Sequence, residues 1–122
     1  MQIQESEVFI KQVYQIKKKF RSVENDVNSL KEALTALAFK SIFPKNIHIS
    51  TIPIKESVGK KNVWRIRMLN SDNNKGNSGG YRVFYCEGKT EESVLLLGIY
   101  PKQEIKDNEY CRIAKELVEA CC

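Results

Sequence analysis

Histidine is nearly absent from this chain: His48 is the only one in 122 residues, so no set of imidazoles is available to hold a metal. Cysteine is also scarce. Cys86, Cys111, Cys121 and Cys122 have neither the paired CxxC spacing of a zinc site nor the density of a disulfide scaffold, so all four read as reduced thiols. Neither a metal nor a small-molecule cofactor is expected. No apolar run approaches the ~18 residues needed to cross a bilayer. The opening "MQIQESEVFIKQ" also lacks the basic segment and apolar stretch of a secretory leader. A cytoplasmic, soluble protein with no membrane contact is the expectation. Repeats and low-complexity linkers are missing as well, and 42% apolar residues suffice for one core, so residues 1–122 are read as one domain.

What is present is basic charge, unevenly placed. Residues 41–90 hold nine bases and three acids, a net +6, while residues 91–122 hold four bases and seven acids and the first forty hold seven and five. A basic middle segment is the footprint of a polyanionic partner, although lysines spread over a surface for solubility produce the same count.

Two apolar stripes organise the first forty residues. Phe9, Val13, Ile16 and Phe20 line one face of a helix starting at about Glu7, with Ser6 placed to accept from its first amides. Val23, Val27, Leu30, Leu34 and Leu37 repeat that spacing from Ser22, so the two stripes predict a helical hairpin packed on a sheet. The "KKK" at 17–19 fits a solvated helix face. A short strand at about residues 1–5 could precede the first helix.

Residues 41–62 are interrupted by Pro44 and Pro53 and read as irregular, with room for one short edge strand. "VWRIRML" then alternates Trp64, Ile66 and Met68 with Arg65 and Arg67, giving a strand with one apolar and one cationic side. "NSDNNKGNSGG" is a loop by composition. "YRVFYC" and "SVLLLGIY" complete a meander of three strands that is expected to be antiparallel, ended by Pro101. Tyr110, Ile113, Ala114, Leu117 and Val118 lie at helical spacing and predict a C-terminal helix capped by Asp107 or Asn108.

If the hairpin covers the Trp64 side, the opposite sheet face is left uncovered and cationic. Parity puts Arg82, Phe84 and Cys86 on one side of their strand, and pairing can bring Arg82 alongside Arg65 and Arg67. Arginine forks suit phosphate oxygens, and a neighbouring aromatic can stack on a base.

"VWRIRMLNSDNNKGNSGGYRVFY" followed by "VLLLGIYPKQEIKDN" resembles the RelE/ParE superfamily of bacterial toxin–antitoxin systems. Members often carry a K-[IL]-R strand, a "GKSGGYRV" turn and strand, and a "YLLxIYxKxE" strand. "FIKQVYQIKKKFRSVENDVNSLKEAL" is similar to the family's helical opening, so the resemblance covers about residues 6–37 and 63–108. It implies an α+β fold like that of small microbial ribonucleases, with an N-terminal helical hairpin packed on an antiparallel sheet and a C-terminal helix. It further implies the toxin of a type II pair, neutralised by a cognate antitoxin protein. The toxin would be a ribosome-dependent mRNA endonuclease that inhibits translation or, alternatively, a ParE-like inhibitor of DNA gyrase. A non-toxic module that keeps only antitoxin binding is a further alternative.

On the endonuclease branch, Arg82 matches the arginine that contacts the scissile phosphate as the ribose 2′-hydroxyl attacks it. Arg65 and Arg67 fall where two lysines take part in acid–base or phosphate chemistry, and Lys102 falls near a basic residue that assists the leaving group. Tyr110, or alternatively Tyr100, stands for a tyrosine that stacks on or orients the substrate, and Lys75, Arg65, Arg67, Arg82 and Tyr100 form the implied RNA-binding set. One departure matters chemically. Arginine stays protonated at physiological pH, so Arg65 and Arg67 can hold phosphate but cannot accept the 2′-hydroxyl proton, which leaves Lys102 and Lys75 as candidate proton acceptors. Gly79 and Gly80, just before the strand of Arg82, supply a tight turn.

Overall fold

A computed structural model of the chain describes residues 2–38, 54–58, 61–68, 80–87 and 93–121. Five strands form one mixed sheet: β1 (Gln2–Glu5), β2 (Ile54–Val58), β3 (Lys61–Met68), β4 (Tyr81–Glu87) and β5 (Ser93–Pro101), in the order β1-β5-β4-β3-β2. Three helices, α1 (Glu7–Lys17), α2 (Val23–Ala38) and α3 (Tyr110–Cys121), complete an α+β fold.

The first helix starts where its cap predicts. Ser6 Oγ accepts from Phe9 N at 3.0 Å, and Ser22 O accepts from Asp26 N at 2.9 Å at the start of α2. Phe9 of α1 and Val23, Val27, Leu30 and Leu34 of α2 are buried against Ile66, Met68, Tyr81, Val83, Tyr85, Val94, Leu96 and Ile99. That packing makes the helix pair and the Trp64 side of the sheet one hydrophobic layer. Leu37 carries no described side chain.

β3, β4 and β5 form the expected antiparallel meander, and β2 pairs antiparallel with β3 as an edge strand starting just after Pro53. The expectation of a wholly antiparallel sheet is corrected at the other edge, where β1 runs parallel to β5. A four-residue strand "QIQE" has no turn chemistry to announce its partner, because that partner lies some ninety residues away. β1 covers only Ser93 to Leu96 of β5. Beyond it α1 takes over the open edge: Ser6 N and Ser6 Oγ donate to Leu96 O and Leu97 O at 3.0 and 2.9 Å, and Gln12 Oε1 accepts from Ile99 N at 2.8 Å. Backbone groups that would otherwise form an unpaired edge are thereby satisfied by one helix.

The second sheet face is not uncovered, which corrects the other expectation. Tyr110, Ile113, Ala114 and Leu117 of α3 are buried against Val63, Phe84, Cys86 and Leu97. The physical reason is in β4 and β5, whose residues on this side are largely apolar and need a cover of their own. α3 starts differently from expectation as well. A 3-10 turn at Asp107–Glu109 precedes it, and the cap is reciprocal: Glu109 N donates to Lys106 O at 2.9 Å while Lys106 N donates to Glu109 Oε1 at 3.0 Å.

β5 carries a bulge. Phe84 pairs with Gly98 but Tyr85 pairs with Leu96, so one extra residue enters β5 and its side-chain parity inverts. Val94 and Leu96 face the α1–α2 layer, as does Ile99 after the bulge, and this sends Tyr100 to the α3 side.

Candidate nucleic-acid interface

Arg67 of β3, Arg82 of β4 and Tyr100 of β5 occupy one row across the sheet, because Arg67 pairs with Arg82 and Arg82 with Tyr100. Arg65 lies two residues along β3 in the next row, opposite Phe84. Without the bulge Tyr100 would share the parity of Val94 and Leu96 and face the hairpin. The bulge is therefore what adds an aromatic to the arginine row.

Tyr110, the first residue of α3, is the hub of this cluster. The Arg65 guanidinium sits 3.7 Å from the centre of its ring, and Lys102 Nζ lies 5.8 Å from the same point. Phe84 meets Tyr110 and Tyr100 edge-on, at centroid distances of 6.2 and 5.8 Å. Lys102 is placed by the backbone: Pro101 ends β5, a 3-10 turn follows at Lys102–Glu104, and Lys102 N donates to Gly80 O at 2.8 Å. That bond fastens the exit of β5 to the entry of β4, one residue before Tyr81.

The four cations differ in access. Arg67 is exposed and Arg65 and Lys102 are half-buried, whereas Arg82 is 3% exposed. Arg82 Nη1 donates to Tyr81 O at 3.2 Å. Burial is the main influence on its guanidinium and weakens proton binding there; contact with the Tyr110 hydroxyl opposes this, and the charges of Arg67 and Arg65 add to it. Desolvation likewise pushes the Tyr100 phenol up, while a hydrogen bond with Gln12 works against that rise.

Of the residues singled out in the sequence, Arg65, Arg67, Arg82, Lys102, Tyr100 and Tyr110 come together on the α3 side of the sheet. Both tyrosines belong to it, each meeting Phe84 edge-on. Lys75, His48 and Gly79 lie outside the described residues. The chain matches no model of a known protein family and no curated protein.

Sequence reading missed two contributors, Phe84 and Gly98. Phe84 is the ring that joins the tyrosines, and its position between Arg82 and Cys86 gives no hint of this until α3 is in place. Gly98 inside an otherwise apolar strand is a recognised bulge signal. Among the described residues no group of three or more His, Cys, Asp or Glu side chains is arranged to hold a metal. No helix among them is long and apolar enough to cross a membrane. Among the described residues, Cys86, Cys111 and Cys121 are not joined in disulfides.

Chemically the cluster offers fixed positive charge and apolar surface. Arginine forks and a lysine at one end of a sheet can hold phosphate oxygens and stabilise charge on a phosphorane-like transition state.

Proposed function

We propose that the chain is the toxin of a type II toxin–antitoxin pair, with the RelE-like ribonuclease fold, acting in the cytoplasm as a ribosome-dependent mRNA endonuclease that inhibits translation. The observation that supports this reading best is the gathering of Arg65, Arg82 and Lys102 around one tyrosine, with Arg67 paired to Arg82 in the same sheet row. In the reaction the 2′-hydroxyl oxygen attacks the adjacent phosphorus and the P–O5′ bond breaks. A 2′,3′-cyclic phosphate and a 5′-hydroxyl result, and the proton leaving the 2′-hydroxyl is balanced by the one gained by the 5′-oxygen. Arg65 and Arg67 hold the phosphate oxygens and offset the added negative charge. A guanidinium keeps its own proton, so we assign the proton transfer to Lys102, beside the Tyr110 ring. The message on the ribosome is the substrate, and a cognate antitoxin with an acidic segment is the protein partner, drawn by the basic middle of the chain.

Inducing the chain in bacteria with and without the gene beside its own, while following growth, translation and mRNA 5′ ends, tests this reading. Arrested translation with new message ends, relieved by the neighbouring gene, is the expected result. Normal growth with intact messages would overturn it. Intact messages with a DNA-damage response would point instead to gyrase, and binding of the neighbouring product without toxicity to an antitoxin-binding module.

A further inference from the structure

The cations of the cluster are not equivalent, and their burial divides the work. Arg82 and Tyr110 are 3% and 7% exposed, so neither offers a surface to a ligand with α3 in place. Arg82 spends one donor on the neighbouring Tyr81 carbonyl at 3.2 Å and another on the Tyr110 hydroxyl. One face of the Tyr110 ring is occupied by the Arg65 guanidinium at 3.7 Å, and Phe84 closes on the ring from the sheet. A base cannot stack where an arginine already does. Arg67, by contrast, is exposed and lies directly across from Arg82, whose buried charge it meets at close range with the same sign. Like charges paired across strands repel, which favours Arg67 turned outward toward an anion in solvent.

We infer that Arg82 and Tyr110 form a buried positioning pair that holds Arg65 and Lys102 in place, and that Arg67, Arg65 and Lys102 make the contacts to RNA phosphates. This assignment rests on the RNA-directed reading above. It departs from the roles that the family resemblance implies, in which the arginine matching Arg82 touches the scissile phosphate and the tyrosine touches substrate. Here the ring of Tyr110 works as a platform: it fixes the plane of a guanidinium that would otherwise sample many rotamers, and a planar fork held still loses less freedom on gripping phosphate. Arg82 in turn anchors the hydroxyl end of that platform.

The test uses the full chain, a fluorescently labelled single-stranded RNA oligonucleotide over a salt series, and thermal melting of each variant. Arg67→Ala should leave the melting temperature unchanged or slightly raised, since it relieves the repulsion from Arg82, and lower the slope of log affinity against log salt by about 0.7, the loss of one phosphate contact on a single strand. Arg82→Met, which removes the charge but fills the space, should change the melting temperature and leave that slope at the wild-type value. Tyr110→Ala should weaken binding by about threefold to tenfold, as expected for the loss of one cation–ring contact. Tyr110→Phe, which keeps the ring, should recover most of that loss. A drop in slope for Arg82→Met at unchanged melting temperature would overturn the assignment, as would a Tyr110→Phe protein that binds as poorly as Tyr110→Ala. If the wild type bound no RNA at any salt, the RNA-directed reading itself and the phosphate contacts would fall. The anchoring role would then still be judged, because Tyr110→Phe must melt above Tyr110→Ala and an inverted order would overturn it.

Discussion

Gly98 of β5 and Leu117 of α3 approach so closely that a Cβ on Gly98 would lie 2.9 Å from Leu117 Cδ1 and 3.1 Å from Cδ2, with Gln12 Oε1 at 3.2 Å. The missing side chain is what lets α3 lie against the bulge and bring Tyr110 over the arginines. Gly98→Ala should therefore destabilise the protein by about 1–3 kcal/mol, the usual cost of overpacking a closed site. Urea denaturation measures it, and combining Gly98→Ala with Leu117→Ala should show strong non-additivity, since the second change makes room for the first. Additive losses would mean that the two residues do not compete for space.

Ser6 serves two elements with one hydroxyl, accepting from Phe9 N and donating to Leu97 O. Replacing it with alanine removes a helix cap and leaves a carbonyl at the bulge without that donor. A loss of about 2 kcal/mol is expected, somewhat more than a cap alone, measurable as a shift in urea midpoint at constant m-value. A loss below about 0.5 kcal/mol would show that water replaces the hydroxyl at no cost.

Lys17 and Glu24 pair at 3.0 Å across the turn between α1 and α2, but both side chains are about half exposed, at 49% and 56%. Lys17→Ala and Glu24→Ala should each change stability by less than about 0.5 kcal/mol, because an exposed pair is screened and loses rotamer freedom on forming. Leu30→Ala, at a fully buried position of the same helix pair, should cost about 2–5 kcal/mol. Chemical denaturation of the three variants side by side checks whether burial rather than charge holds the helices to the sheet.

Stability should fall in alkaline solution. Burial pushes the Tyr85 phenol well above its usual range, and Tyr100 moves the same way for the same first cause. The folded state favours the neutral phenol, so this contribution is complete below the unfolded value near pH 10 and is lost as pH rises from there toward the folded value. The urea midpoint measured between about pH 8 and pH 11 should drop only in the upper part of that window, and Tyr85→Phe should lessen the drop. A midpoint that is flat through pH 11 would contradict the burial of these phenols.

The helix pair was legible because amphipathic spacing, a Ser6 cap and a Ser22 start all point to the same elements. The strand of Arg65 and Arg67 was legible because strict alternation assigns its two faces before any partner is known. Parity grouped Arg82 with Phe84 and Cys86, while the register that sets Arg82 beside Arg67 came only with the structure, and α3 announced itself in the stripe from Tyr110 to Val118. Tyr100 was less tractable: alternation carried from Val94 and Leu96 would put it with the hairpin, and only the extra residue at the bulge reverses that. The parallel pairing of β1 and the cover over the second face escaped for a related reason, since each depends on contacts between segments far apart in sequence.

Taken by itself, the order of residues determined the two N-terminal helices, the three meander strands and the C-terminal helix, which side of the Trp64 strand is apolar and where basic charge concentrates. Those properties are local, set by side-chain period and composition. The tertiary structure alone decided that Tyr110 lands on Arg65, that Arg82 is buried while its neighbour Arg67 is exposed, and that α3 covers the face that carries them. Those outcomes follow from how a bulged strand, a glycine without a side chain and an apolar helix face fit together. That fit is a matter of three-dimensional volume, which no one-dimensional pattern records.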